Sequence, residues 1–266
     1  MEKLPPTPGS ARWRVVAASV RGTRHERTGQ PCQDVVQWRA LSDGRLVAAL
    51  ADGAGSAPLA EVGAEIACRT AFDAAIKCLT APDSSPTDEA WLRLITGSIQ
   101  LARDAVFDEA KSRNRPAREL ATTLTLLLAA HDRIAFGQIG DATVLAVDSA
   151  GHYSALTPPG ASEYLNETTF IVSDGALEKA QVEIRRQTVK QIAALSDGLQ
   201  MLALKMPAGT PHVPFFAPLF QFVESANDPA AAQSALKAFL HLPSLAQRTD
   251  DDLTLLLASD LSRNES

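Results

Sequence analysis

Four acidic positions in this chain stand where carboxylates are unusual, at the ends of apolar runs. "LVAALAD" (46 to 52) stops at Asp52-Gly53, "QIAALSDG" (191 to 198) stops at Asp197-Gly198, Asp250-Asp251-Asp252 precede "LTLLLAS", and Asp34 opens "DVVQWRAL". A charge at the end of a buried strand is costly unless something pairs with it. Carboxylates that share a cation meet that requirement together, and Mg²⁺ and Mn²⁺ favour such oxygen ligands while keeping several waters. Each acid taken singly also reads as a turn or strand-end residue. Asp-Gly is a common turn, and the chain has four, at Asp43, Asp52, Asp174 and Asp197. Asp43 lies between alternating strands and reads as a hairpin turn. Asp174 reads as a turn too. Asp52 and Asp197 differ, because each follows a run that looks buried on both faces and precedes a helix-like stretch.

Other chemistries fit less well. Gly53-Ala54-Gly55 has the outline of a dinucleotide-binding loop, but Pro58 occupies the third position and Asp52 would repel a pyrophosphate. No Walker sequence, G-x-S-x-G elbow or H-E-x-x-H occurs, and Cys32, Cys68 and Cys78 have no metal-type spacing.

The elements that must position these acids are legible in outline. "WRVVAASV" (13 to 20), 34 to 41 and 45 to 51 read as strands, the last two joined at Ser42-Asp43-Gly44. Helical periodicity covers 57 to 79, and Thr87 signals a second helix over 88 to 112. Residues 122 to 130, "RIAFGQIG" and "TVLAVD" read as a β-meander. "TTFIVS" (168 to 173), "QVEIRR" and "KQIAALS" are further strands. Helices are predicted over 198 to 206, 215 to 225 and 229 to 240, and a closing strand over 253 to 259. Strands, then two helices, then strands again is an α+β order rather than the alternation of a doubly wound sheet.

With 266 residues and 45% apolar composition the chain suits one domain, read as 12–260, between a disordered, Pro-rich lead (1–11) and a short tail (261–266). A net charge of −6 argues against nucleic-acid and anionic-membrane partners, and no apolar run is long enough to span a bilayer. Three cysteines without a secretory signal point to reduced thiols and the cytoplasm.

In their order, these residues resemble the metal-dependent protein phosphatases, the type 2C Ser/Thr family, and its compact bacterial branch most. The motifs are Gln33-Asp34, "ADGAGSA", "ATTLTLLL", "GQIGDATVLAV", "LSDGLQ" and "DDLTLLL", spread from Ala11 to Ser259. The resemblance implies a four-layer α-β-β-α sandwich of two antiparallel sheets flanked by helices, with two Mn²⁺ or Mg²⁺ ions in a cleft at one sheet edge. It implies that Asp52 bridges the ions, that the Gly53 carbonyl and Asp34 (through water or directly) serve one, and that Asp197 and Asp251 hold the other. Asp250 and Asp252 are the alternatives to Asp251. Asp141 matches a position for a third, weaker ion shared with Asp197. On this basis a metal-acidified water attacks phosphorus, with Asp34 and Asp52 at the catalytic centre, and Gly53 lets its carbonyl approach the ions. The expected partner is a phosphoprotein, with a cognate Ser/Thr kinase opposing a monomeric phosphatase. The alternative is a catalytically silent module of the same fold that binds a phosphoprotein or kinase.

The sequence departs from the pattern in places. Ala54 stands where animal members carry His, Asp252 replaces the usual Asn, and the flap-like insertion expected between 150 and 190 is short. His25 takes the place of the phosphate-binding Arg of bacterial members. His25, or Arg24 beside it, is therefore expected to point into the cleft, to hold the substrate phosphate, with His25 also placed to protonate the leaving oxygen. A solvated surface loop is the competing reading of that stretch.

Overall fold

The computed structural model describes residues 12–82, 87–157 and 168–262. The chain begins with β1 (Trp13–Val20), α1 (Thr23–Thr28), β2 (Asp34–Ala40), β3 (Leu46–Asp52), α2 (Ala60–Leu79) and α3 (Asp88–Ser112). Six strands follow: β4 (Leu124–Ala129), β5 (Arg133–Ile139), β6 (Thr143–Asp148), β7 (Tyr153–Ala155), β8 (Gln181–Arg186) and β9 (Val189–Leu195). The last part holds α4 (Gln200–Ala203), β10 (Leu204–Lys205), β11 (Thr210–Pro211), α5 (Val213–Ser225), α6 (Pro229–Leu240), α7 (Pro243–Ala246) and β12 (Leu253–Asp260).

Two five-stranded antiparallel sheets result, ordered β2-β3-β4-β5-β8 and β1-β12-β9-β6-β7. Side chains alternate faces along a strand. On β3, Leu46, Ala48 and Leu50 turn inward, where they meet Val15, Val144, Ile192 and Leu256 of the other sheet. Val47, Ala49 and Ala51 turn outward into a second layer of core with Ala67, Ala71, Ile95 and Ile99 of α2 and α3. The outer face of the other sheet is covered by Phe216 and Phe220 of α5 and Leu236 of α6. Burial on both faces explains why these strands read as continuous apolar runs. The four-layer α-β-β-α sandwich is the fold the sequence implied.

Several expectations need correction. The meander does not stay in one sheet: β4 pairs with β5, but β6 joins β9 and β7 in the other sheet, so the chain crosses sheets at Gly140-Asp141-Ala142. "TTFIVS" forms turns rather than a strand. It packs against the start of α2 through Phe170 and Val172. The helix expected over 198 to 206 is one short turn, α4, followed by the β10–β11 hairpin. The stretch after Gly22, with a solvated loop as its competing reading, is helical. The expected lead 1–11, residues 263–266 of the tail, 83–86 before α3 and 158–167 of the insertion lie outside the described residues. Of the tail that is described, Leu261 donates its N–H to the Arg12 carbonyl, 2.9 Å away, and so stays tied to the sheet.

At one edge of the sandwich the ends of β2, β3 and β9, the approach to β12 and the sheet crossing before β6 come together. Helix α2 is held there by contact of its backbone with the segment before β4: a Cβ on Gly63 would overlap the Leu120 carbonyl. Helix propensity alone favours Ala over Gly by about 1 kcal/mol, whereas forcing atoms into a filled site costs roughly 1–3 kcal/mol. Overlap with backbone, which cannot swing aside, should win. Gly63→Ala is expected to lower the thermal midpoint by roughly 2–4 °C, the scale of a net loss of about 1 kcal/mol in a domain of this size; an unchanged or raised midpoint in a calorimetric scan would show that α2 can shift freely.

Candidate active site

The site begins with two facing carboxylates. Register pairs Asp34 with Asp52 across β2 and β3. The end of β3 is then fixed from the β4 side. Thr122 donates its hydroxyl hydrogen to the Asp52 carbonyl at 2.9 Å, and the Thr123 N–H donates to the same carbonyl at 2.8 Å. The Asp52 N–H donates to the Thr123 hydroxyl at 3.0 Å. The Gly53 N–H donates to the Gln33 carbonyl at 3.1 Å, and the Ala54 N–H to the Ala121 carbonyl at 2.9 Å. Gly53 has a packing reason to be glycine: a Cβ there would lie 2.8 Å from the Cβ and carbonyl oxygen of Ala60, the first residue of α2.

A cleft opens over this strand end. Its lining brings together Asp52, Asp141, Asp197 and Asp251, with Arg24 at one side and Phe170 at another. Asp197 starts a 3-10 turn directly after β9, Asp251 precedes β12, and Asp141 occupies the crossing between the sheets. The Arg24 guanidinium reaches Asp251 Oδ1 at 3.0 Å and lies over Gly55. Thr168 donates its hydroxyl hydrogen to Asp141 Oδ2 at 2.8 Å, and the Gln200 side-chain amide donates to the Asp141 carbonyl at 2.5 Å.

The electrostatics are those of a site built for cations. Burial raises Asp34 to about 7, with negative Asp252 adding to the rise and the nearby hydroxyls of Ser196 and Thr254, which approach without completing a hydrogen bond, pulling the other way. Burial likewise raises Asp52 well above the ordinary carboxylate range, reinforced by the charges of Asp34, Asp197 and Asp251. Asp197 is open to the cleft at its edge yet crowded by protein, and that crowding, with Asp141 and Asp251 adding their charge, lifts it to about 6. Asp34 is 5% exposed, and among the described residues neither of its carboxylate oxygens has a hydrogen-bond partner. Buried acceptors of this kind are normally satisfied. An all-oxygen donor set with orphaned buried carboxylate oxygens fits a hard divalent cation. Among the described residues no group of three or more such side chains encloses an ion by itself. Mg²⁺-type sites are often completed by water around only one or two carboxylates.

The expected site residues fall into three groups. Arg24, Asp52, Gly53, Asp141, Asp197 and Asp251 line the cleft. Asp34 lies behind Asp52, buried. His25 is placed elsewhere, contrary to the expectation that it points into the cleft. It is 1% exposed, is not part of the cleft lining, and has its Nδ1 3.0 Å from Asp252 Oδ1. The reason is the helical turn α1, which sends consecutive side chains in directions about 100° apart: Arg24 goes to the cleft and His25 into the interior. Asp174 is exposed in a turn before Gly175 and outside the cleft lining. Sequence reasoning missed Thr168 and Phe170 as wall residues, because the segment carrying them was read as a strand. It quoted Thr122-Thr123 as a motif without assigning the pair a task.

Comparison with known proteins bears on the family and the fold. The family model described as protein phosphatase 2C matches residues 21–241. The serine/threonine-protein phosphatase 3 of Escherichia coli (strain K12) is 34% identical over 252 residues, spanning 92% of this chain and 98% of that protein. Among solved structures, the S. agalactiae serine/threonine phosphatase superposes with a TM-score of 0.64 at 16% identity, covering 93% of this chain and 99% of that one. The catalytic domain of the phosphatase PstP in complex with 2 manganese ions superposes with a TM-score of 0.58 at 19% identity, covering 93% and 97%. At such identities the structures speak for the fold. The family match and the Escherichia coli relative place this chain in the protein phosphatase 2C family.

The raised carboxylates give a stability test that needs no substrate. Asp34 is easier to protonate folded than unfolded, so its contribution is fully present below the ordinary carboxylate range and is lost as pH rises through about 7. Without divalent ions, Asp34→Asn should therefore melt higher than the parent at pH 8, by at least ~3 °C. The gap should close toward pH 4 and shrink at pH 8 when Mn²⁺ is added. A variant that melts lower than the parent at pH 8 in chelator would show that the buried charge is already compensated.

Proposed function

We propose that this protein is a Mn²⁺- or Mg²⁺-dependent phosphatase that hydrolyses phosphoserine and phosphothreonine in proteins. The observation that carries the reading is the convergence of Asp52, Asp141, Asp197 and Asp251 with Arg24 in one cleft, backed by the orphaned carboxylate of Asp34. Asp52, with the Gly53 carbonyl and Asp34, would hold one ion. Asp52, Asp197 and Asp251 would hold a second, and Asp141 with Asp197 a third, weaker one. Bound there, divalent ions supply an acidified water at neutral pH and positive charge against the phosphoryl oxygens. The protein's own residues do the rest. Arg24, whose planar fork matches phosphate oxygens, binds and orients the phosphate beside the acids. Thr122 and Thr123 hold the Asp52 backbone still, so the carboxylate does not retreat from its neighbours' charge. Among the described residues no cysteine lines the cleft, which suits direct transfer to water.

The name of the Escherichia coli relative favours catalysis over a silent binding module. The substrate phosphate must be installed by a kinase, so a cognate Ser/Thr kinase is the proposed opposing enzyme. Free Cys32, Cys68 and Cys78 support the cytoplasm, and no described helix is long and apolar enough to cross a membrane. Two sheets with one shared core support a single domain over 12–260, and we propose that it acts as a monomer.

Turnover of a phosphothreonine peptide and of p-nitrophenyl phosphate should rise on adding Mn²⁺ and vanish in chelator; no Mn²⁺-stimulated turnover of either would overturn the reading. Asp52→Asn and Asp197→Asn should each cost more than the ~10–100-fold typical of residues outside a metal's immediate ligands, with the fold retained. Asp174→Asn should stay within about twofold of the parent, as expected for an exposed turn. If Asp174→Asn abolishes activity and Asp197→Asn does not, the ligand assignment is reversed.

A further inference from the structure

One buried carboxylate outside the cleft gathers backbone donors from two stretches of chain beside it. Asp252 is 3% exposed and does not line the cleft. Its Oδ1 accepts the N–H of Gly22 at 2.6 Å and its Oδ2 accepts the N–H of Gln33, also at 2.6 Å. His25 Nδ1 stands 3.0 Å from the same Oδ1, and neither ring nitrogen completes a hydrogen bond among the described residues. Charge-assisted bonds of this length are about twice as strong as neutral ones.

Each of the backbone donors leads to a working residue. Gly22 is the N-cap of α1, which carries Arg24 two residues on. The same junction is closed from the other side, because the Arg24 N–H donates to the Asp250 carbonyl at 2.9 Å. Gln33 immediately precedes Asp34, and its carbonyl accepts the N–H of Gly53, beside Asp52. Asp252 itself follows Asp251, whose Oδ1 accepts the Asp252 N–H at 3.0 Å. Two neighbouring stretches near the start of the chain thus meet the segment before β12 on one buried carboxylate, and the three carry Arg24, the buried Asp34 and Asp251.

We propose that Asp252 is a positioning residue for the reaction: it sets Arg24 against the Asp251 segment and the start of β2, and so couples phosphate binding to the placement of Asp34 and Asp251. His25 fills the interior side of this junction. This rests on the reading of the cleft as a phosphatase site. A residue that only added stability would weaken the protein uniformly. A positioning residue makes the value of Arg24 depend on its presence.

A double-mutant cycle separates the two. The variant Asp252→Asn keeps the shape but offers one acceptor oxygen for two backbone donors. Asp252→Ser, smaller and also an acceptor, is read in parallel in case the first is unstable. In the parent, Arg24→Ala should raise KM for a phosphothreonine peptide about tenfold or more. In the Asp252 variants, whose own KM is already raised, the same change should cost no more than about threefold. Asp141→Asn, on a segment that Asp252 does not touch, should cost the same factor in both backgrounds. Calorimetric Mn²⁺ affinity should fall by about tenfold in Asp252→Asn, the scale of residues that orient ligands. Equal Arg24→Ala factors in both backgrounds, or unchanged Mn²⁺ affinity, would overturn this inference while leaving the phosphatase reading intact. A parent that neither binds Mn²⁺ nor turns over the peptide would overturn both.

Discussion

Two carboxylates face each other across neighbouring strands, and the rest of the site answers to that fact. Like charges directly opposite on adjacent strands repel. At ~5 Å and an effective dielectric of ~20 the repulsion is roughly 3 kcal/mol. Asp34 and Asp52 sit in that register at the end of β2 and β3, with Asp197 and Asp251 adding charge nearby. Left to itself such an arrangement relaxes by taking up protons or by splaying apart. The raised position of Asp34 and Asp52 is the first response, and the backbone holds exclude the second. What remains is an electrostatic demand that a divalent cation meets well.

Splaying is prevented by parts that carry no charge. A slip of one residue in the β2–β3 ladder would turn every side chain to the opposite face, and the ladder cannot slip while Leu46, Ala48 and Leu50 are packed between the sheets. The turn after Asp52 cannot swing out, because Thr122, Thr123, Gln33 and Ala121 take up its backbone groups and α2 starts against Gly53. The other sheet delivers Asp197 and Asp251 from the ends of β9 and β12, which pair with each other. The crossing of the chain from one sheet to the other delivers Asp141. The acids are therefore brought together by the sandwich core rather than by any attraction among themselves.

Much of this could be read before the structure was known, and the exceptions have physical causes. Strands buried on both faces announce themselves as apolar runs, so β3, β4, β6, β9 and β12 stood out, and a carboxylate at the end of such a run stood out with them. The choice of Asp197 over Asp174 followed from the same signal, since only Asp197 terminates an interior strand. Short polar segments carry no such periodicity. The single helical turn of α1 looked like a loop, and without its rotation the separate fates of Arg24 and His25 were out of reach. "TTFIVS" has strand composition, but its segment makes turns across the start of α2, and tertiary contact overrode propensity. The passage from β5 to β6 looked like one meander, because nothing in a sequence of alternating apolar residues says which of two sheets the next strand will join.

The acidic triplet before β12 shows how little residue type alone decides. Asp250 is exposed, with Arg27 3.3 Å away. Asp251 faces the cleft, beside Arg24. Asp252 is buried among backbone donors. The chain bends at Asp251 before β12 begins, so the triplet escapes the two-face alternation of a strand and its three identical residues meet water, the cleft and the interior in turn. Water screens the first pair, and an ion pair so exposed adds little to stability. The third has both oxygens engaged by backbone N–H groups, leaving it poorly placed to ligate anything else. Only the middle carboxylate combines access to the cleft with a counter-charge that a bound phosphate could draw away. On the proposed reading, a substrate phosphate would pair with Arg24 and a cation with Asp251, so the two would not compete for one group and together would replace the pair that these side chains make with each other.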